Sequence, residues 1–300
     1  MFNRITNRNT VANNRKRDSF YFLRKFSELL QYYLFIYDWP AKLAYKFGLQ
    51  GNVYLRKYKI NLQNYPKDAK PFKIAFAADF HVGPTTHIEH LKKSIDLIKS
   101  LSPDILLLGG DMVYLNSKFI DPFKELMSEL KNIERKYFVL GNHDYLIDSN
   151  YIIDALEDSG FKSLINNYEF LDKELGFISV HGIDDYYMGC PDPEEAFSKS
   201  AQVKIVLMHS PSNYVDIENY DFDLAFCGHT HAGQIALPGG KPIHTAGGPY
   251  CNKYNYGKFA LGKNENKNLI VTSGVGYGWL PFRINTNSEV VLCEVSSEKN

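Results

Sequence analysis

Cysteine is scarce: the 300-residue chain has four, Cys190, Cys227, Cys251 and Cys293, and none stands in a CxxC pair. That scatter argues against a thiolate zinc site or a disulfide framework, and it fits a reducing compartment. Long apolar runs are also missing. No stretch reaches the roughly 18 consecutive apolar residues of a membrane-spanning helix. The first 19 residues are polar and basic, without the apolar centre of a secretory signal. Net charge is absent as well, at a formal 0.

That zero hides an uneven distribution. Residues 1–50 hold nine Lys/Arg and three acids, a net +6, which leaves −6 on residues 51–300. A basic end on an acidic body points to an anionic partner for the end, a membrane surface or nucleic acid. Residues 1–17 are Asn- and Arg-rich with few apolar side chains, a disordered composition. Beyond them Phe20, Phe22, Leu23, Phe26, Leu29, Leu30, Tyr33, Leu34 and Tyr37 recur mostly three and four apart, with Arg24, Lys25, Glu28 and Gln31 between them. This spacing predicts an amphipathic helix, interrupted by Pro40. Basic residues beside an aromatic face favour a helix lying on a membrane surface. The alternative is a helix packed on its own catalytic domain. A nucleic-acid clamp fits less well, because a phosphate-binding arm needs no interleaved apolar residues. The expected division is 1–50, a basic start and helical segment, and 51–300, a catalytic domain.

From residue 51 the chain reads as α/β. Strand-like runs cover 53–62, 74–78, 105–108 and 137–140, with helical patterns near 88–99, 118–130 and 151–158. Further strands are expected at 177–180, 203–208, 224–227, 233–236, 269–273 and 289–295. Metal-ligating side chains follow these runs in order: Asp79-Phe80-His81, Gly110-Asp111, Gly141-Asn142-His143-Asp144, Met208-His209 and Gly228-His229-Thr230-His231. Asp79, Asp111 and Asn142 are spaced by 32 and 31 residues, close to the roughly 30 of one βαβ unit. The chain thus returns to the same sheet edge each time, where α/β folds place their sites. Two Asp, one Asn and four His are enough for two metal ions, as a two-metal phosphoesterase requires.

The five motifs in this order resemble the calcineurin-like metallophosphoesterase family. The resemblance covers residues 73–231 and implies a four-layer α/β/β/α sandwich. It implies that Asp79, His81 and His231 bind one metal, that Asp111 bridges both, and that Asn142, His209 and His229 complete the second site. His143 would then act on the substrate, as an acid or a donor to a phosphoryl oxygen. The donor set suits two divalent ions, Mn²⁺ first, with Fe or Zn²⁺ possible. Protein Ser/Thr phosphatases carry GDxVDRG; here Tyr114 stands where the second Asp would be, which argues against that branch. Residues 233–238, 273–276 and 280–283 look like the membrane-associated bacterial branch that includes UDP-2,3-diacylglucosamine pyrophosphohydrolases of lipid A synthesis.

The expected activity is therefore metal-dependent hydrolysis of a phosphoester or pyrophosphate. UDP-2,3-diacylglucosamine is the favoured substrate, and the expected location is cytoplasmic, on the inner face of the cytoplasmic membrane. The alternatives are a peripheral-membrane phosphodiesterase of another substrate and a non-catalytic metal-binding membrane scaffold. Outside the motifs, His87, His90, His181 and His244 are read as surface or structural. Asp184 and Asp185 are read as turn chemistry in preference to support for the site. Arg283 could meet a substrate phosphate or cap a carboxylate. The aromatics between Tyr250 and Phe282 could line an acyl groove or pack a second sheet.

Overall fold

A computed structural model describes residues 21–262 and 266–297. Two six-stranded mixed sheets dominate it. The first runs in the order β1 (Val53–Leu62), β12 (Ser288–Ser297), β2 (Phe72–Ala77), β3 (Ile105–Leu108), β4 (Lys136–Phe138) and β5 (Lys162–Ser163). From β2 to β5 the strands are parallel, and β12 is antiparallel to β2. The second runs β10 (Gly257–Leu261), β11 (Lys267–Val271), β9 (Leu224–Cys227), β8 (Val203–Leu207), β7 (Ile178–Gly182) and β6 (Asn167–Phe170). Its inner four are parallel, with antiparallel strands at both edges.

The two-residue period of a strand sorts the side chains of β2 onto two faces. Ile74 and Phe76 enter a core shared with Ile205, Leu207 and Phe226 of the second sheet. Ala75 and Ala77 face the other way, where their small size admits helices closely. Those helices are α3 (Ile88–Leu101), α4 (Ile120–Ser128) and α5 (Ser149–Asp158). They insert Leu91, Ile95, Ile98, Phe123, Met127, Ile152 and Leu156 at helical spacing. Each such side chain, fully buried, contributes about 1.5–3 kcal/mol. Helix α3 starts where His87 Nδ1 accepts the Glu89 amide at 3.2 Å and ends at Ser102 in a left-handed turn. The outer face of the second sheet is covered more thinly, by the short helix Tyr214–Ile217 and by Phe222, Tyr254 and Leu261.

Two differences from the expected elements have simple causes. Residues 233–236 form no strand. Ala232, Gly233 and Gln234 all have positive φ, so the backbone cannot enter a ladder, and Ile235 makes only an isolated bridge to Ile284. The edge strands β6 and β10 were not expected, since their partly exposed residues carry no apolar run.

Ahead of the sheets, α1 (Tyr21–Leu34) leads through a turn into α2 (Trp39–Lys46), with Pro40 in its first turn. On α1, Gln31 is buried and Ser27 half-buried, while Phe26, Leu29, Leu30, Tyr33 and Leu34 are exposed. The side chains of Phe22, Arg24 and Lys25, and all of Arg15, Lys16 and Arg17, lie outside the described residues. Among the described residues no helix is long and apolar enough to cross a membrane.

Candidate metal centre

Every parallel strand that carries a motif delivers it at its carboxyl end. Asp79 and His81 follow β2, Asp111 follows β3, and the 141–144 segment follows β4. His209 follows β8, and His229 and His231 follow β9. The two sheets thus present their loops to one another. The close approach requires glycine twice. A Cβ at Gly141 would collide with Asp111 Oδ1, and one at Gly228 with Asp79 Oδ2. Five of the side chains concerned sit on left-handed backbone: Asp79 (φ 55°), His81 (44°), Asp111 (54°), His229 (70°) and His231 (51°). Such strain in non-glycine residues gathers at functional sites and persists only where surrounding bonds fix it.

Two clusters result. Asp79, His81 and His231 offer ligand atoms within 4.8 Å of one another, and so do Asp111, His209 and His229. His81 Nε2 lies 3.0 Å from His231 Nε2, and His209 Nε2 lies 3.1 Å from His229 Nδ1. Asp111 stands between the clusters, its Oδ2 3.4 Å from His209 Nε2 and 3.6 Å from His81 Nε2. Its Oδ1 accepts the His143 amide at 2.8 Å. Asp79 accepts the His229 amide on both oxygens, at 3.1 and 2.9 Å. His209 Nδ1 is 2.8 Å from the Gly109 carbonyl, a bond that turns Nε2 inward.

The residues fit cations. Both side-chain polar atoms of Asn142 are buried without a hydrogen-bond partner. A buried amide left so is costly unless something else binds it. Buried carboxylates and imidazole nitrogens converge on the same space, a donor set for borderline divalent metals. Burial, with Asp111 nearby, raises the Asp79 carboxyl to about 7, and burial lowers His81 to about 3. For Asp111 the desolvation is outweighed by His209, His143 and His81, which hold it well below the usual carboxylate range.

His143 is half-buried. Its ring lies edge-on to those of His81 and Tyr114, with centroids 5.1 Å away in each case. Three residues support the site in ways the sequence does not assign: Asp144 and Tyr114 stand in its motifs without these roles, and Tyr187 stands outside them. Asp144 accepts the amides of Gly141 (2.9 Å), Asp111 (2.9 Å) and Met112 (2.8 Å), tying two motif loops together. Tyr187 stacks on His229 at 4.9 Å. Tyr114 packs on His81 as well as on His143. The nearest sequence signal was the adjacency of Asp144 to His143, which does not show where the carboxylate points. Arg283 is half-buried and, among the described residues, pairs with no carboxylate within 4.0 Å. It donates to the carbonyls of Ser273 (2.7 Å), Gly276 (2.7 Å) and His231 (3.1 Å). Asp184 and Asp185 do serve a turn: they accept the amides of Cys190, Tyr187 and Met188. Among the aromatics, Tyr250 and Tyr254 pack the second sheet, Tyr277 lies against His90, and Trp279 is exposed.

Two Asp/His clusters about one shared carboxylate, at the strand ends of two facing sheets, define a metal-dependent hydrolase of phosphoester or pyrophosphate bonds. Comparison with known proteins agrees. The calcineurin-like phosphoesterase family model matches residues 72–233, more than half of the chain, and the chain belongs to that family. Its relatives include an uncharacterized metallophosphoesterase of Campylobacter jejuni, 28% identical over 253 residues, 82% of this chain and 64% of that one. Phosphodiesterase YaeI of Escherichia coli is 29% identical over 241 residues, 77% of this chain and 84% of that one. An uncharacterized metallophosphoesterase of Aquifex aeolicus is 29% identical over 260 residues, 82% and 93% of the two chains. The chain therefore spans less than two thirds of the Campylobacter relative's length.

Proposed function

We propose that the chain is a two-metal phosphodiesterase working at a membrane surface. The observation that carries the metal chemistry is the position of Asp111 Oδ2, between histidine nitrogens of both clusters at 3.4 and 3.6 Å. In this reading Asp79, His81 and His231 hold one cation, Asn142, His209 and His229 the other, and Asp111 both. When bound, two such cations lower the pKa of a water and offset charge on phosphoryl oxygens. The donor set favours Mn²⁺, with Fe or Zn²⁺ as alternatives. His143 reaches the substrate side of the site and gives a proton to the leaving oxygen, or a hydrogen bond to a phosphoryl oxygen. In this reading residues 51–300 form the catalytic unit, and residues 1–50 precede it as a basic start and a membrane-surface helix.

The diester preference is supported by the Escherichia coli relative, a phosphodiesterase by name. Hydrolysis of UDP-2,3-diacylglucosamine would be a special case of the same chemistry, but none of the relatives described above bears that activity in its name. Surface attachment is supported by α1, which turns Phe26, Leu29, Leu30, Tyr33 and Leu34 outward beside a basic segment. That arrangement would place the protein on the inner face of the cytoplasmic membrane. A cavity of about 520 Å³ beside this helix is bounded by Tyr33, Tyr37, Leu115 and Phe119, with Lys42 and Lys118 at hand. Asp38 also lines the cavity and pairs with Lys118 at 3.8 Å, so its aromatic walls carry one net positive charge and suit an amphiphilic anion.

The reading is tested by comparing kcat/KM of the Mn²⁺-loaded protein on a bis-aryl phosphodiester, an aryl phosphomonoester and UDP-2,3-diacylglucosamine. Turnover of the diester above the monoester is expected. Turnover of the monoester alone would refute the diester assignment. A kcat/KM for the UDP-sugar orders of magnitude above that for the diester would make the lipid A substrate the true one.

A further inference from the structure

The N-terminal helix does more than attach the protein to a surface. Among its described side chains, the exposed ones are apolar (Phe26, Leu29, Leu30, Tyr33 and Leu34) and the less exposed ones are polar, with Ser27 half-buried and Gln31 only 8% exposed. A helix held to a domain by its own core would show the reverse pattern. What Gln31 meets is specific: the Tyr114 hydroxyl donates to Gln31 Oε1 at 2.8 Å, across 83 residues of sequence. Tyr114 is itself fully buried. Its ring forms a triangle with two histidines of the site, edge-on to His81 at 87° and to His143 at 65°, all three centroids 5.1 Å apart. The loop that carries it is pinned independently, by the Val82–Val113 bridge and the Tyr114 amide bonded to the Val82 carbonyl at 3.0 Å. The loop backbone is therefore fixed without α1, whereas the far end of the tyrosine is held by α1.

We infer that Gln31 and Tyr114 are positioning residues for His143, so that the helix at 21–34 is a working part of the active site. This rests on the proposed role of His143 at the substrate. His143 lies on a half-exposed segment, and its ring is bounded on one side by His81 and on another by Tyr114. A tyrosine anchored at both ends limits the ring orientations open to that imidazole. Released at its hydroxyl, it no longer does. A proton donor out of line costs turnover more than affinity, because its contribution is made in the transition state.

The experiment is a double-mutant cycle in the full-length protein. kcat and KM on a soluble bis-aryl phosphodiester, metal content and thermal midpoint are measured for Gln31→Ala, Gln31→Glu, Tyr114→Phe, His143→Ala and the Gln31→Ala/His143→Ala pair. Gln31→Ala and Tyr114→Phe should each lower kcat by about 10-fold with KM changed less than about twofold, and metal content should hold. Gln31→Glu, which keeps the acceptor, should restore most of the loss. In the His143→Ala background, Gln31→Ala should change kcat by less than about twofold, because partners acting through one group are not additive. An equal loss in both backgrounds would overturn the inference, and so would unchanged kcat in Gln31→Ala and Tyr114→Phe while His143→Ala is impaired. Loss of metal in Gln31→Ala would redirect the effect to His81 and overturn it too. An unimpaired His143→Ala would remove the role of His143 itself, and the inference with it.

Discussion

Four main-chain amides end on the carboxylate of Asp144, those of Asp111, Met112, Val113 (at 3.4 Å) and Gly141, and they come from two motif loops. An amide side chain in its place would turn one donor group toward those N–H groups and leave part of them unbonded. Burying an unsatisfied polar group costs about 1–3 kcal/mol. Asp144→Asn should accordingly lower the thermal midpoint and loosen the Asp111 loop, so that metal content falls by elemental analysis. A variant with normal midpoint and full metal would show that the carboxylate is not the tie between the loops. At this scale the sequence was informative about residue type and silent about direction. The placement of Asp79, His81, Asp111, Asn142, His209, His229 and His231 at strand ends was legible because each follows an apolar run and the first three groups keep a βαβ spacing. The left-handed backbone under five of these residues was not legible. Neither was the stacking of Tyr187 on His229, which depends on a contact 42 residues away in sequence.

Among the elements, α3 joins the start of the catalytic region to its end. His90 Nδ1 accepts the Gly51 amide at 2.9 Å, so Nε2 carries the proton and faces the Val275 carbonyl and Ser288 Oγ at 3.0 and 2.9 Å. Burial lowers this imidazole from 6.5 to about 4. A histidine whose folded value is depressed stabilises the fold fully above its unfolded value, and that stability is lost as pH falls through the folded one. Protonation would also set an N–H against the Gly51 N–H. The unfolding free energy of wild type relative to His90→Gln should therefore be constant above pH about 6.5 and shrink between there and about 4. Urea titrations at pH 7.5, 6, 5 and 4, all chosen as rough sampling points around that window, would check it. A difference independent of pH would place the charge change elsewhere. The elements themselves were legible where periodicity was strong: 53–62, 105–108 and 224–227 lie where the apolar patterns put them. Short edge strands were missed because pairing to a neighbour makes them, not their own composition.

For the whole molecule, a net +6 over residues 1–50 joins a helix whose exposed face is apolar, and the −6 body carries the metal centre. Apolar burial and attraction to anionic lipid would act together, each basic residue near such a surface contributing about 1 kcal/mol and less at high salt. The full-length protein should co-sediment with anionic vesicles at low salt and release partly as salt rises. Indifference to vesicles together with steeply salt-dependent binding of RNA or DNA would favour the nucleic-acid reading instead.

The central claim is that one carboxylate organises two cations for hydrolysis of a phosphodiester. It is tested most directly by metal content and turnover measured together, for wild type and Asp111→Asn, before and after chelation and Mn²⁺ reloading. Wild type should hold two metals per chain, lose turnover of a bis-aryl phosphodiester on chelation and regain it with Mn²⁺. Asp111→Asn should bind less metal and lose turnover by orders of magnitude. Two metals and near-wild-type turnover in Asp111→Asn, or full turnover in the chelated wild type, would contradict the account.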